Sequence, residues 1–282
     1  MTATPGATRL ISAGSGPVRL ALRLSSDAEA AARHVAQQIA DTIRACAHRQ
    51  RRCVLGLPTG RTPLPFYRHL VDWHRAGQLS FAHVTVFNLD EYHPLPRSSP
   101  QSYWTFMHAA LFAHVDIAAD AINLPRGDLP EAEMAEHAAA YERAIAAAGG
   151  LDLVVLGIGG NGHIAFNEPG APASGRTRLV RLAPGTRRAA AADFGGEEFV
   201  PANGVTMGIA TILAAQRVLL LATGSAKAVA VAAAVEGPVD TTCPASFLQT
   251  HRDAEVVCDP AAASRLLALR KPWLAGPVAW DG

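Results

Sequence analysis

The chain has 282 residues, with 25 Lys+Arg against 24 Asp+Glu, 49% hydrophobic and 17% charged residues. Charges that nearly cancel, with Arg187-Arg188 and Arg49-Gln50-Arg51-Arg52 as the basic clusters, argue against nucleic acid as a partner. Apolar stretches such as 228–235 fall far short of the roughly 18 residues that a membrane span needs. Residues 1–17 lack a basic segment followed by an apolar one, so nothing there directs export. The expectation is a cytoplasmic protein with a flexible leader over 1–17 and one domain over 18–282.

Strand-length apolar runs at 18–22, 53–57, 84–89, 151–158, 217–222 and 255–258 alternate with helical patterns. The first helix is the clearest. Ser26 and Glu29 form a capping-box pair before 30–47, and Val35, Ile39, Ile43 and Cys46 share one face. Further helices fit 63–75, 102–112, 131–148, 205–215 and 226–235. This alternation predicts a single-domain, Rossmann-like α/β fold: an open, mostly parallel sheet with helices on both faces. The four cysteines, Cys46, Cys53, Cys243 and Cys258, show neither a C-x-x-C pair nor zinc-site spacing, so reduced thiols and no metal site are expected.

In such a sheet, ligands bind beyond the carboxyl ends of the strands. Three loops there carry chemistry. Pro58-Thr59-Gly60-Arg61-Thr62-Pro63 places a Gly turn and hydroxyls before a helix, a natural phosphate seat, though an ordinary capped turn would look the same. Thr223-Gly224-Ser225-Ala226-Lys227 repeats the pattern with a cation. Gly157 to Gly162 satisfies G-x-G-x-x-G after a strand, but the residues that follow do not read as a helix and no acid stands where a ribose would need one, which argues against a dinucleotide. The same stretch gathers Asn161, His163 and Glu168, a histidine with a carboxylate to orient it. Adjacent acids Asp90 and Glu91 end another strand; strand geometry sends them to opposite faces, so one works while the other supports it.

Gly56 to Gly60, Phe87 to Tyr92, Gly157 to Pro169, Val205 to Ile209 and Gly224 to Lys227 together resemble, in order and spacing, the glucosamine-6-phosphate deaminase family. The stretch Phe166-Asn167-Glu168-Pro169 separates this branch from the related 6-phosphogluconolactonases, which usually carry a Ser-Leu-Phe-Pro type sequence there. The resemblance implies conversion of glucosamine 6-phosphate to fructose 6-phosphate and ammonia, with no metal or organic cofactor. It assigns ring opening to His163, oriented by Glu168 and Asn161, and the proton shuttle between C2 and C1 to Asp90, with Glu91 as its neighbour in the enediol step. Thr59, Gly60, Arg61, Thr62 and Lys227 match the phosphate-binding loops, and 169–196 resembles a mobile lid.

Three positions depart from the family pattern. Asn161 stands where many members have Asp, and Ala192 falls where the family has a phosphate-gripping arginine. Arg61 is the compensating candidate for that contact, with Arg187 and Arg188 as fallbacks. Val180 stands where an allosteric lysine would be, so weak or no activation by N-acetylglucosamine 6-phosphate is expected. Two alternatives stay open: a lactonase-type hydrolase or an enzyme of another aminosugar phosphate, and a sugar-phosphate-sensing regulatory domain. The expected partner is a small sugar phosphate, neither nucleic acid nor membrane, with homo-oligomerisation left open.

Overall fold

A computed structural model describes residues 8–10 and 20–270. In chain order the elements are β1 (Thr8–Leu10), β2 (Leu20–Leu24), α1 (Ala28–His48), β3 (Cys53–Leu57), α2 (Leu64–Arg75), β4 (Val84–Asn88), β5 (Asp90–His93) and α3 (Tyr103–Ala110). They continue with β6 (Ile122–Asn123), α4 (Met134–Ala147), β7 (Leu153–Leu156), β8 (Arg178–Arg181), α5 (Pro184–Phe194) and β9 (Asn203–Thr206). The last are α6 (Ile209–Leu213), β10 (Arg217–Ala222), α7 (Ala228–Glu236), β11 (Ala254–Cys258) and α8 (Leu267–Arg270).

Eight strands form one sheet in the order β1-β2-β11-β10-β7-β3-β4-β6. All neighbours run parallel except the edge pair β1 and β2. From β3 the chain steps outward through β4 and β6, then returns to β7 on the other side of β3 and steps the opposite way to β10 and β11. The crevice between β3 and β7 is therefore the topological switch point, where open α/β sheets bind ligands.

Both faces of this sheet are buried, which is why its strands read as unbroken apolar runs. Val154, Leu156, Val218, Leu220 and Val256 pack on one face with α4, α6 and α7. Their chain neighbours Leu153, Val155, Leu219, Leu221 and Val257 pack on the other with α1 and α2. The predicted α/β fold with helices on both faces is what the structure has. The expected stripe of α1 is also buried: Val35, Ile39, Ile43 and Cys46.

Four details differ from the sequence reading. The N-cap of α1 is Asp27, whose carboxylate accepts from Ala30 N–H at 2.8 Å, while Ser26 donates to Asp27 and Glu29 pairs with His69. Asp is as good a cap as Ser and stands one residue nearer the helix. The helix predicted over 205–215 splits into β9 and the five-residue α6, because Gly208 takes an extended conformation between them. A second, three-stranded antiparallel sheet, β5-β9-β8, was not anticipated; it pairs Asp90 with Thr206 and Arg178 with Thr206. The predicted lid segment holds β8 and α5. Of the predicted leader, Thr8–Leu10 pairs with β2, and the rest lies outside the described residues.

Candidate active site

The loops singled out in the sequence follow β10, β7, β3 and β4, four strands adjacent in the sheet. Their carboxyl ends therefore bring the loops to one rim, centred on the switch point.

After β3, the Tyr67 hydroxyl donates to Pro58 C=O at 2.6 Å and fixes the start of the turn. Gly60 has φ +99°, a conformation that side chains resist and that turns the backbone toward the start of α2. Tyr103 packs its ring 5.0 Å from that of Tyr92. Arg61 is exposed and its guanidinium lies 2.7 Å from Asp193 of α5. After β10, Gly224 donates its N–H to both carboxylate oxygens of Asp259 at 3.1 Å, so this amide is already used. Lys227 is half-buried, has no ion-pair partner among the described residues, and has its ammonium pKa lowered by burial. Thr62 completes the loop before Pro63, the N-cap of α2.

After β7, the chain turns tightly: Gly159 N–H donates to His163 C=O at 2.9 Å, and Ala165 sits at φ +48°. A Cβ on Gly159 would lie 2.1 Å from Cε1 of His163, so only glycine lets the imidazole fold over this backbone. Asn161 Oδ1 lies 2.7 Å from His163 Nδ1, and Asn161 Nδ2 donates to Glu168 Oε2 at 2.8 Å. Glu168 Oε2 also lies 3.4 Å from His163 Nδ1. With two acceptors at Nδ1, that nitrogen carries the proton and Nε2 is left free to exchange one. The other carboxylate oxygen of Glu168 accepts from Ala183 N–H, the N-cap of α5, at 3.2 Å and from Thr186 O–H in its first turn at 2.5 Å. Burial works to raise the Glu168 pKa, but His163, Thr186 and Asn161 outweigh it and hold the carboxyl at about 2.

After β4, Asp90 opens β5 and is 6% exposed. No donor among the described residues reaches its carboxylate. Burial first, then the Glu91 charge, pushes its pKa up to about 8. Glu91 is buried too, with its pKa raised to about 7 by burial. Its oxygens, however, are aimed into the first turn of α3: Oε1 accepts from Tyr92 N–H at 2.9 Å and Tyr103 N–H at 3.1 Å, and Oε2 from Trp104 N–H at 3.2 Å. Thus the pleat separates the acids as expected, and Glu91 is spent on anchoring α3. Thr206 links the two halves of the site, since it pairs with Asp90 and its hydroxyl accepts from Phe166 N–H at 3.0 Å.

The structure therefore brings Asn161, His163 and Glu168 into one network and connects Asp90 to the same loop through Thr206, with Thr59, Gly60, Arg61, Thr62 and Lys227 in loops at the same ends of the strands. Sequence reasoning missed Thr186, Tyr103, Thr206 and Asp193. Thr206 lies within the Val205 to Ile209 motif but was given no role there; Thr186 and Tyr103 sit in no motif, and Asp193 offered a signal only as an acid flanking the Ala192 position.

One further cluster lies at the opposite, amino ends of the strands. Cys46, Cys53 and Asp152 have ligand atoms within 4.8 Å of one another. Asp152 there accepts both guanidinium nitrogens of Arg51, at 2.7 and 2.8 Å, and Val54 N–H at 2.9 Å. Its oxygens are taken by donors, so the cluster ties α1 to β3 and β7. All four cysteines are free and buried.

The family described as glucosamine-6-phosphate isomerases/6-phosphogluconolactonase matches residues 26–258. The chain belongs to this family. A glucosamine-6-phosphate deaminase of Shewanella loihica is 51% identical over 213 residues, covering 76% of this chain and 79% of that protein. One of Rhodopirellula baltica is 47% identical over 245 residues, covering 87% and 95%. Among solved structures, a monomeric glucosamine-6-phosphate deaminase superposes with a TM-score of 0.82 at 39% identity, over 86% of this chain and 99% of that one. A 6-phosphogluconolactonase from Thermotoga maritima has a TM-score of 0.66 at 22% identity and shares the family's fold.

Proposed function

We propose that the chain is a glucosamine-6-phosphate deaminase, converting glucosamine 6-phosphate and water to fructose 6-phosphate and ammonia. The observation that carries this reading is the pairing of two different proton carriers on one rim. One is a buried carboxylate without donors, Asp90; the other is an imidazole with Nδ1 tied down, His163.

The chemistry needs both. His163 Nε2 moves a proton between O5 and O1 to open the pyranose, with Asn161 and Glu168 fixing the ring. Asp90 takes the C2 proton of the open aldehyde and returns it to C1, which leaves an imine at C2. Water adds there and ammonia departs, giving the ketose. Each well-placed proton carrier contributes about 10²–10⁴-fold. A carboxyl pKa near 8 suits a group that must both accept and give back a proton near neutral pH. Glu91 supports Asp90 from behind by fixing α3.

For the phosphate, the reading uses the Gly60 turn, the hydroxyls of Thr59 and Thr62, the half-buried Lys227 and the Arg61 guanidinium. Guanidinium binds phosphate through two parallel hydrogen bonds, and an incoming phosphate would replace Asp193 as the Arg61 partner. No helix among the described residues is long and apolar enough to cross a membrane. Four unpaired thiols support a reducing compartment such as the cytoplasm.

The test is an ammonia-release assay with glucosamine 6-phosphate, galactosamine 6-phosphate and a 6-phosphogluconolactone. Release from glucosamine 6-phosphate, lost in both Asp90→Asn and His163→Gln, is expected. Lactone hydrolysis without ammonia release would overturn the assignment.

A further inference from the structure

We propose that Thr186 is a positioning residue for His163, acting through Glu168. The inference rests on the reading of His163 as the proton carrier of ring opening. Glu168 is shared between two partners that belong to different parts of the chain. Its Oε2 faces the β7 loop, where Asn161 donates at 2.8 Å and His163 Nδ1 lies at 3.4 Å. Its Oε1 faces α5, where Thr186 O–H donates at 2.5 Å and Ala183 N–H at 3.2 Å.

A carboxylate that accepts at both oxygens from opposite sides cannot swing about its last torsion. Without the α5 donors, Oε1 would be free to turn onto Asn161 or His163, and the orientation of the imidazole would loosen. The side chain of α5 that enters the network is thus Thr186, the third residue of the helix. Its remaining ties lie elsewhere: Arg187 donates to the Glu197 and Val200 carbonyls, and Asp193 pairs with Arg61. Helix α5 buries no residue completely; beside these polar contacts, Ala190 and Phe194 pack against the cluster of Tyr92, Phe166, Leu182 and Val200, with the Phe194 ring 5.0 Å from that of Tyr92.

A consequence is that proton transfer at His163 depends on α5 being docked. When α5 sits down, the hydroxyl locks Glu168; when it lifts, Glu168 is released. Ring opening is thereby reserved for the state in which α5 is in place.

The groups facing Glu168 make the pH behaviour specific. His163 is the ionisable neighbour from the β7 loop, while Thr186, Ala183 and Asn161 are neutral donors. Removing a donor from Glu168 raises its pKa from about 2 toward the ordinary carboxylate value, because burial is then opposed by fewer partners. The low-pH loss of activity that belongs to Glu168, which lies below the limb set by Asp90, should therefore move to higher pH.

The experiment compares Thr186→Val, Thr186→Ser, Glu168→Gln and the double variant Thr186→Val/Glu168→Gln, with ammonia release from glucosamine 6-phosphate followed from pH 4 to 9. Thr186→Val is isosteric and keeps the packing of α5. It is expected to lower kcat about 10-fold, to change KM by less than about threefold, and to move the low-pH loss of activity upward. Thr186→Ser should restore both. In the Glu168→Gln background the same change should cost less than about twofold, because its effect is carried by that carboxylate. Wild-type kcat and an unmoved low-pH loss in Thr186→Val would overturn the proposal. So would an equal loss with and without Glu168, which marks a purely structural role. His163→Gln run in parallel separates the two levels: if it stays active, the reading of His163 fails, whereas an inactive His163→Gln beside a normal Thr186→Val sinks the Thr186 inference alone.

Discussion

Asp90 and Glu91 are neighbours with the same charge and nearly the same burial, yet the backbone sends them to different tasks. Glu91 finds three N–H donors, its neighbour Tyr92 and two at the start of α3, and Asp90 finds none among the described residues. An isolated buried carboxyl keeps its proton to a higher pH than it would in water. With an ordinary value of 3.8 and a folded value near 8, the folded chain holds a proton that the unfolded chain has released throughout this interval. Stability contributed by this residue is therefore greatest at the acid end of the window and falls as pH rises through it. Asp90→Asn removes the titration, so its Tm should exceed that of the native chain at pH 8 and approach it near pH 4. The gain at pH 8 is on the order of a few kcal/mol, while turnover should drop by about 10²–10⁴-fold. Thermal unfolding at the two pH values checks the first expectation; a variant that is less stable at both would refute it. Glu255 works with the opposite sign, since His34 and Arg23 overcome burial and hold it at about 2, and its contribution is lost only in strong acid.

Helix α5 touches the site at both of its ends. Its first turn meets Glu168, and its last turn presents Asp193 to Arg61 of the β3 loop. If phosphate must displace Asp193 to reach Arg61, the two substitutions act in opposite directions. Arg61→Ala should raise KM for glucosamine 6-phosphate far more than for unphosphorylated glucosamine. Asp193→Asn should lower KM for the phosphorylated sugar, by no more than about fivefold, as befits an exposed pair. Steady-state kinetics with both sugars decides, and equal effects of Arg61→Ala on the two would refute the role.

This same element shows where sequence reading stopped. Strands β3, β7 and β10 were legible because both of their faces are buried and their residues are apolar without interruption. Helix α5, Pro184–Phe194, carries no fully buried residue and hence no apolar period, so its Ala and Gly content read as part of a loose lid. Strands β5, β8 and β9 are four residues each and include Asp90, Glu91, Arg178 and Asn203, so neither alternation nor composition marked them. The site was legible wherever glycine punctuated a strand end. Thr186 escaped because its partner, Glu168, stands 18 positions earlier and is brought to it only by folding.

At the scale of the molecule, the switch point decides how the rim is supplied. The wall with Thr59, Arg61 and Asp90 comes from the chain before α4, and the wall with His163, Glu168 and Lys227 from the chain after it. Between α4 and β7 the chain passes through Gly149 and Gly150, at φ +93° and +84°. No catalytic or phosphate-binding residue named above lies in that turn. The fold remains one unit all the same, because β2 from the first part pairs with β11 from the last, and β3 pairs with β7 across the middle.

That arrangement makes the molecule divisible without dividing any one wall of its crevice. Cut between Gly149 and Gly150, each half would carry one proton carrier and neither could complete a turnover. Expressed separately, the halves should release no ammonia; produced together in one cell, they should reassemble through the β2–β11 and β3–β7 seams and recover it. Fused to two proteins of interest, such halves would report their encounter as a metabolic product.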